Sequence, residues 1–534
     1  MQRRHLLQSS SALLAAGLAA NPAQALLAPR NYAAQVPEIY APVPRPPGHT
    51  PVIVIGTGFG GAISALRLAQ AGQQVTMLER GFAWPRDPWR EIHTNDTLPD
   101  GRGFWYRDRS KTVFGVGGTP VDRFGGVMDI TEYEHIDVWR GAAVGGGSVV
   151  FTGAMPQPPR NFFDAVFQGR VSYDEMNAVF YPRVRQMLRL SPMPGDVYNS
   201  SPFGHSRRWD RSARRAGYTP QPVDGIWNWD VVRAELRGQS RKSCTAGLSN
   251  LGNSNGAKFD LNQNYLAQAR ATGRTQVYPG HEVKGLWRDG SRWVVDTIKR
   301  HPDGRVLERY LLTCDALVLA AGSIGTSELL VRARARGELP DLNEHIGEGW
   351  GSNGDSAVVR SFAFSSGLGT GAACASLIRD TRNLPVTLEN WYAPGIPLNI
   401  GLDASLGIVL DLENRARFRY EASTDRVNLL WPQNGNAAAV AATREVNNRI
   451  ARANLSIPGV PLIAQDVFAG FTAHPLGGAV LGRATDNFGR VRGYSGLYVM
   501  DGAAIPGSTA TVNPALTISA LAERNIAAII AAGG

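Results

Sequence analysis

PVIVIGTGFGGAISALRLAQAGQQVTMLERG, residues Pro51 to Gly81, decides the fold. Its opening run, Val52-Ile53-Val54-Ile55, predicts a strand buried on both faces. Gly56-Thr57-Gly58-Phe59-Gly60-Gly61 follows, with Gly56, Gly58 and Gly61 at the first, third and sixth places of G-x-G-x-x-G. Ile63, Leu66 and Ala69 recur at helical spacing, and Gly72 stands where a glycine ends a helix. A second apolar run, Val75 to Leu78, closes on Glu79, twenty-three residues beyond Gly56. Each part has a physical task. Gly56 permits the tight turn, Gly58 lets a pyrophosphate approach the backbone, and Gly61 lets helix and strand pack closely. The helix start offers unpaired N–H groups to phosphate oxygens, and Glu79 can accept hydrogen bonds from an adenosine ribose. These residues define a dinucleotide site in which NAD and FAD fit equally well.

The chain around this stretch has 534 residues, enough for two or three domains, with the ordinary globular balance of 43% hydrophobic and 19% charged residues. No internal run is long and apolar enough to span a membrane. Residues 1–25 differ: Arg3 and Arg4 precede an apolar stretch that ends in Ala23-Gln24-Ala25. That is the pattern of an export signal of twin-arginine type, and it predicts a bacterial protein that is periplasmic or secreted. The net charge of +10 comes from scattered rather than clustered Lys and Arg, which argues against nucleic acid as a partner. Cys244, Cys314 and Cys374 are widely spaced, have no metal-binding pattern and allow at most one disulfide.

Two further regions carry nucleotide-type features. Gly145-Gly146-Gly147-Ser148 lets backbone come close to a flat group. Tyr310 to Ala320 predicts a buried strand that runs into Ala321-Gly322-Ser323, with a helix beginning near Thr326. At the C-terminus come the turn His474-Pro475-Leu476-Gly477-Gly478, a strand Leu497 to Met500, Asp501-Gly502, then Asn513-Pro514 and a helix Ala515 to Ala532. Residues 26–51 are proline-rich and predict an extended lead-in. Because these features must share one sheet, the expected architecture is α/β with a discontinuous cofactor domain (48–160, 242–345, 465–534) interrupted by a substrate domain (161–241, 346–464).

The segments GTGFGGAISALRLAQAG, GGGS, LAAGSIGTSELLVRAR, LNEHIGEGWGSNGD, HPLGG, LGRATDNFGRVRGYSGLYVMDG and IPGSTATVNPALTISALAERN together resemble the glucose–methanol–choline (GMC) oxidoreductases. Within that family they resemble the bacterial cholesterol oxidases that hold FAD non-covalently. The resemblance implies a Rossmann-like FAD domain beside a substrate domain with a large mixed or antiparallel sheet. It implies cofactor contacts at Gly56, Gly58, Phe59, Gly60, Gly61, Glu79 and Arg80, and at Gly145, Gly147 and Ser148. Further contacts are implied at Val283, Gly322, Asp501, Gly502, Asn513 and Pro514.

For chemistry the resemblance implies oxidation of a secondary alcohol by hydride transfer to flavin N5, with O2 as acceptor and H2O2 as product. The implied substrate is a 3β-hydroxysteroid such as cholesterol, met at a membrane surface. His474 aligns with the family's active-site histidine, as base or anchor for the hydroxyl. Asn513 would orient the substrate oxygen and polarise the flavin. Glu389 would carry the proton that converts the Δ5 to the Δ4 ketone, a surface or structural glutamate being the other reading. After Ser148 the chain departs from those oxidases: Phe151-Thr152-Gly153-Ala154 replaces their Asn-Gly-Gly-Met. The rival expectations are a dehydrogenase for another bulky or aromatic alcohol that passes electrons to a quinone or cytochrome, and an FAD-containing lyase without redox turnover.

Overall fold

A computed structural model describes residues 30–96, 98–111, 118–361, 371–372, 374–391, 402–455, 457–458 and 470–533. The expected export signal, residues 1–25, lies outside them. Strands β1 (His49–Ile55) and β2 (Val75–Glu79) flank the helix Phe59–Gln70. A hairpin of β3 (Met128–Tyr133) and β4 (Ile136–Gly141) follows, then a two-residue β5 (Gln221–Pro222). Next come β6 (Thr275–Pro279), β7 (His281–Asp289), β8 (Arg292–Arg300) and β9 (Val306–Leu319). The second half holds β10 (Asp355–Ser361), β11 (Ser376–Asp380), β12 (Val386–Trp391) and β13 (Leu402–Val409). The hairpin β14 (Arg417–Glu421) and β15 (Arg426–Leu430), then β16 (Ile457–Pro458), β17 (Phe471–Thr472) and β18 (Leu497–Val499), complete the strands.

Two sheets matter for the site. The first runs β6-β2-β1-β9-β8-β7, with β18 also paired to β9. Its β6, β2, β1, β9 and β18 pairings are parallel and its β9-β8-β7 portion antiparallel. Ile55 stands opposite both Leu78 and Leu319, and Leu319 opposite Val499. The carboxyl ends of four strands from three parts of the chain therefore meet at one place, where open α/β sheets bind ligands. The helix Phe59–Gln70 is buried at ten of its twelve positions. It packs on the helices Tyr265–Ala271 and Ala515–Ala531. The fully buried Glu523 fixes that contact, receiving Arg67 Nε and Nη2 at 2.8 and 2.6 Å and the Tyr265 hydroxyl at 2.8 Å.

The second sheet, β16-β10-β13-β12-β11-β5, is antiparallel throughout. Strand alternation divides its residues between two faces. Ile378, Leu388 and Val409 pack with Trp209, Val446 and Ile450 of the helices Gly204–Arg215 and Ala437–Ala453. Val359, Trp391, Leu406 and Ile408 face the other way and pack with Phe471. This second face roofs the site.

Several local expectations shift. The lead-in is not simply extended, since it contains a helical turn, Tyr32–Gln35, capped by the Asn31 side chain, and a 3-10 turn, Pro37–Tyr40. Tyr32 explains the turn: its ring stacks on Phe124 and its hydroxyl bonds Asp122 at 2.6 Å. The helix expected near Thr326 begins at Gly322, because Asp501 accepts hydrogen bonds from the Gly322 amide and the Thr326 hydroxyl. All three cysteines are free thiols.

Candidate active site

Where the four strands end, the chain encloses a cavity of about 380 Å³. Gly56 turns with φ +99°, donating its N–H to Leu78 O at 2.8 Å. A Cβ on Gly60 would overlap the Met500 carbonyl, so this glycine is demanded by the approach of the chain beyond β18. Thr57 links three cofactor-type segments. Its amide and hydroxyl donate to Glu79 Oε2 at 3.0 and 2.6 Å, and its hydroxyl accepts from the Gly145 amide at 3.0 Å. Asp501 is buried, which pushes its pKa up to about 6. Hydrogen bonds from Thr326, Ala503 and Gly322 moderate the rise.

Of the residues expected to touch a cofactor, Gly56, Gly58, Phe59, Gly60, Glu79 and Arg80 line the cavity. So do Gly147, Val283, Gly322, Asp501, Gly502, Asn513 and Pro514. Gly61, Gly145 and Ser148 stand one layer back. A Cβ on Gly61 would strike the Gly56 carbonyl, and Ser148 is fully buried with its hydroxyl on Gly145 O at 2.7 Å. Added Cβ atoms at Gly58, Gly147 and Gly322 would meet nothing within 4 Å, so the backbone at these three places opens onto free space. A cavity walled by bare glycine backbone beside a helix N-terminus fits the pyrophosphate and ring of a flavin dinucleotide.

The polar groups meet at one end of the second sheet. His474 follows β17, which pairs in parallel with β4 through Phe471 and Thr472. Its Nδ1 lies 2.7 Å from Asp355 Oδ1, at the first residue of β10. Burial alone would lower the imidazole pKa, but the Asp355 carboxylate and the charge of Glu389 outweigh it and raise the pKa above the ordinary value. Asn513 Nδ2 donates to Glu389 Oε2 at 3.3 Å. Glu389 is 2% exposed, and burial lifts its pKa to about 7 against the opposing pull of His474 and Asn513. Asn513 Oδ1 and Glu389 Oε1 are buried with no hydrogen-bond partner among the described residues, which marks a place where a bound group would complete the network.

His474 and Asn513 line the cavity, whereas Glu389 reaches it through Asn513. Sequence reasoning missed Asp355 and Asn353. Asn353 accepts from the Thr509 amide at 2.8 Å and donates to Val512 O at 2.9 Å, fastening the loop that carries Asn513. In that loop Ala510 and Thr511 hold left-handed φ of 63° and 66°, a strained backbone of the kind found at functional sites. Also missed was Lys258, 1% exposed, which donates to Val149 O at 2.9 Å and stands 5.6 Å from the ring centre of the cavity-lining Phe151. Burial lowers its pKa to about 7. Among the described residues no group of three His, Cys, Asp or Glu side chains could hold a metal.

A glycine-walled cradle at the ends of a parallel sheet, with the His474–Asp355 contact beside it, is the arrangement of a flavin-dependent oxidoreductase. Comparison with known proteins agrees. The family model described as GMC oxidoreductase matches residues 420–522. A cholesterol oxidase of Mycobacterium tuberculosis is 29% identical over 89% of this chain and 90% of its own. One of Acinetobacter baumannii is 24% identical over 88% and 93%. Among solved structures, pyridoxine 4-oxidase from Mesorbium loti superposes with a TM-score of 0.60 at 16% identity, covering 90% of this chain and 99% of its own. A fungal aryl-alcohol oxidase gives 0.61 at 13% identity, with 91% and 100% covered. Residues 420–522 thus match the GMC oxidoreductase family, and the likeness along the rest of the chain is to FAD-dependent alcohol oxidoreductases.

Proposed function

We propose that this chain oxidises the 3β-hydroxyl of a sterol such as cholesterol to the ketone, with O2 as acceptor and H2O2 as product. The observation that carries this reading is the meeting of His474 and Asn513, with Glu389 bonded behind Asn513, at one cavity whose roof is apolar. Likeness to two cholesterol oxidases over almost nine-tenths of the chain supports the substrate class. FAD, held non-covalently in the glycine cradle, supplies the hydride acceptor. His474 Nε2 takes the hydroxyl proton as the ketone forms. Asn513 orients the substrate oxygen. Glu389, with a pKa near neutrality, can release and regain a proton at pH 7, as a Δ5 to Δ4 shift requires. Trp391, Leu406 and Phe471 offer the apolar wall that a sterol ring system needs.

The sequence pattern of residues 1–25 supports export, and a sterol substrate supports peripheral contact with a membrane. The strands of the first sheet, drawn from residues 49–79, 275–319 and 497–499, support a cofactor domain assembled from separated segments.

The test is anaerobic bleaching of the flavin by a panel of alcohols, followed by peroxide measurement in air. Rapid bleaching by 3β-hydroxysteroids and stoichiometric peroxide are expected. Bleaching only by small or aromatic alcohols would overturn the substrate. A second reading, an oxidase of bulky aromatic alcohols, draws on Phe59 and Phe151, which meet edge to face at 5.7 Å on the cavity wall. The same panel separates the two.

A further inference from the structure

We propose that Asp355 is the positioning residue that fixes which nitrogen of His474 works. It holds Nδ1 protonated against its carboxylate, so that a bare Nε2 faces the alcohol. The inference rests on the reading of His474 as the proton acceptor and adds the group that makes it one.

The geometry is a closed ring of hydrogen bonds. Asp355 is 1% exposed and leads β10, where its backbone stands opposite Ile408 of β13. Its Oδ2 accepts from the Ala473 amide at 3.0 Å and lies 2.8 Å from the Thr472 hydroxyl. Thr472 Oγ1 accepts the amide of His474 at 2.8 Å and stands 3.0 Å from Ser352 O. One carboxylate therefore holds both the ring of His474 and the backbone that carries it. With Oδ2 taken by the Ala473 amide and the Thr472 hydroxyl, the ionised carboxylate offers Oδ1 as an acceptor, and a proton on Nδ1 completes the 2.7 Å contact.

When the alcohol loses its proton, the O–H bond breaks, its electron pair stays on oxygen, and an N–H bond forms at Nε2. The imidazolium so made is balanced by Asp355 at once, without movement of either group. Two charged groups face the ring: Asp355 from β10 and Glu389 from β12. Among the described residues, Asp355 is the one hydrogen-bonded to it. A neutral amide at position 355 keeps the shape but not the charge. With its oxygen turned to the Ala473 amide, its NH2 would face Nδ1 and move the ring proton to Nε2, where it blocks proton uptake.

Long-range ¹H–¹⁵N spectra of the holoenzyme labelled with ¹⁵N-histidine distinguish the two neutral ring forms. The His474 signals are assigned by their loss in His474→Gln. We expect Nδ1 protonated and Nε2 bare at high pH, with a titration midpoint above that of an ordinary histidine. In Asp355→Asn the midpoint falls or the ring proton moves to Nε2, and anaerobic flavin reduction by the alcohol slows about 10²–10³-fold while substrate affinity changes little. A wild-type ring with the proton on Nε2 overturns the proposal. So does Asp355→Asn with the midpoint, ring form and reduction rate all within twofold of wild type. If Asp355→Asn does not fold, the wild-type spectrum decides alone. A different outcome, full reduction rate in His474→Gln, would sink the parent reading of His474 and leave the spectrum to judge Asp355 separately.

Discussion

Glu389 shows most directly how burial becomes chemistry in this molecule. The Asn513 amide donates to it across a long 3.3 Å, and desolvation outweighs the lowering effect of its neighbours, so the pKa rises from 4.5 to about 7. The consequence for stability has a definite sign. A group whose folded pKa is raised stabilises fully below its unfolded value, and that contribution is lost as pH rises through the folded one. The fold should therefore lose on the order of 3 kcal/mol between about pH 4.5 and pH 7 from this residue. Glu389→Gln cannot ionise, so denaturant melts at pH 8 should show it more stable than the parent, with the gain gone by pH 4.5. The same variant should still form the initial ketone from a sterol but isomerise it at least tenfold more slowly, as product ratios followed by absorbance would show. His474 carries the same sign for a different reason. Its pKa is raised by Asp355 and Glu389 despite burial, and its contribution is likewise present in acid and lost as pH rises through the folded value.

At the scale of elements, two turns do most of the positioning. The Gly56–Gly61 turn was legible in the sequence because every constraint on it is local: strand, glycine spacing, helix and acid lie within thirty residues. Its neighbour in space was not. Gly60 meets Met500, and nothing near Gly60 foretells that approach. Gly60→Ala should therefore push the segment after β18 off the helix Phe59–Gln70, costing about 1–3 kcal/mol and weakening FAD retention, which gel filtration and the flavin-to-protein absorbance ratio would register. The second turn, Ser352 to Asp355, was quoted in the sequence as a family segment but had no assigned task. Its partners lie 119 residues away at His474 and 156 away at Thr509, and residue type alone does not announce contacts so distant. Strand β10 itself escaped periodicity because Asp355 and Arg360, both almost fully buried, interrupt its apolar pattern. Asn353→Ala removes two hydrogen bonds to the Asn513 loop and one to the Thr509 hydroxyl. We expect a loss of about 2–3 kcal/mol in urea melts and a larger fall in turnover than in substrate affinity.

Across the whole molecule, the cofactor cradle draws on residues near 56, 146, 283, 322 and 501, so a bound dinucleotide joins segments that the chain itself keeps apart. Stripping FAD should lower the melting temperature, and returning it should restore stability with a logarithmic dependence on its concentration, about 2.7 kcal/mol at a hundredfold excess over Kd. A concentration-independent melt would contradict that coupling. The Ser352–Asp355 turn carries a consequence of another kind. It clamps His474 through Asp355 and the Asn513 loop through Asn353, two residues apart. Substitutions there should be strongly epistatic: a double change at 353 and 355 would cost much less than the product of the single effects, because either one already unsettles the shared clamp. Laboratory selection for new alcohols would then leave this tetrapeptide untouched and accept changes first at Trp391 and Leu406, where the wall varies without disturbing the clamp.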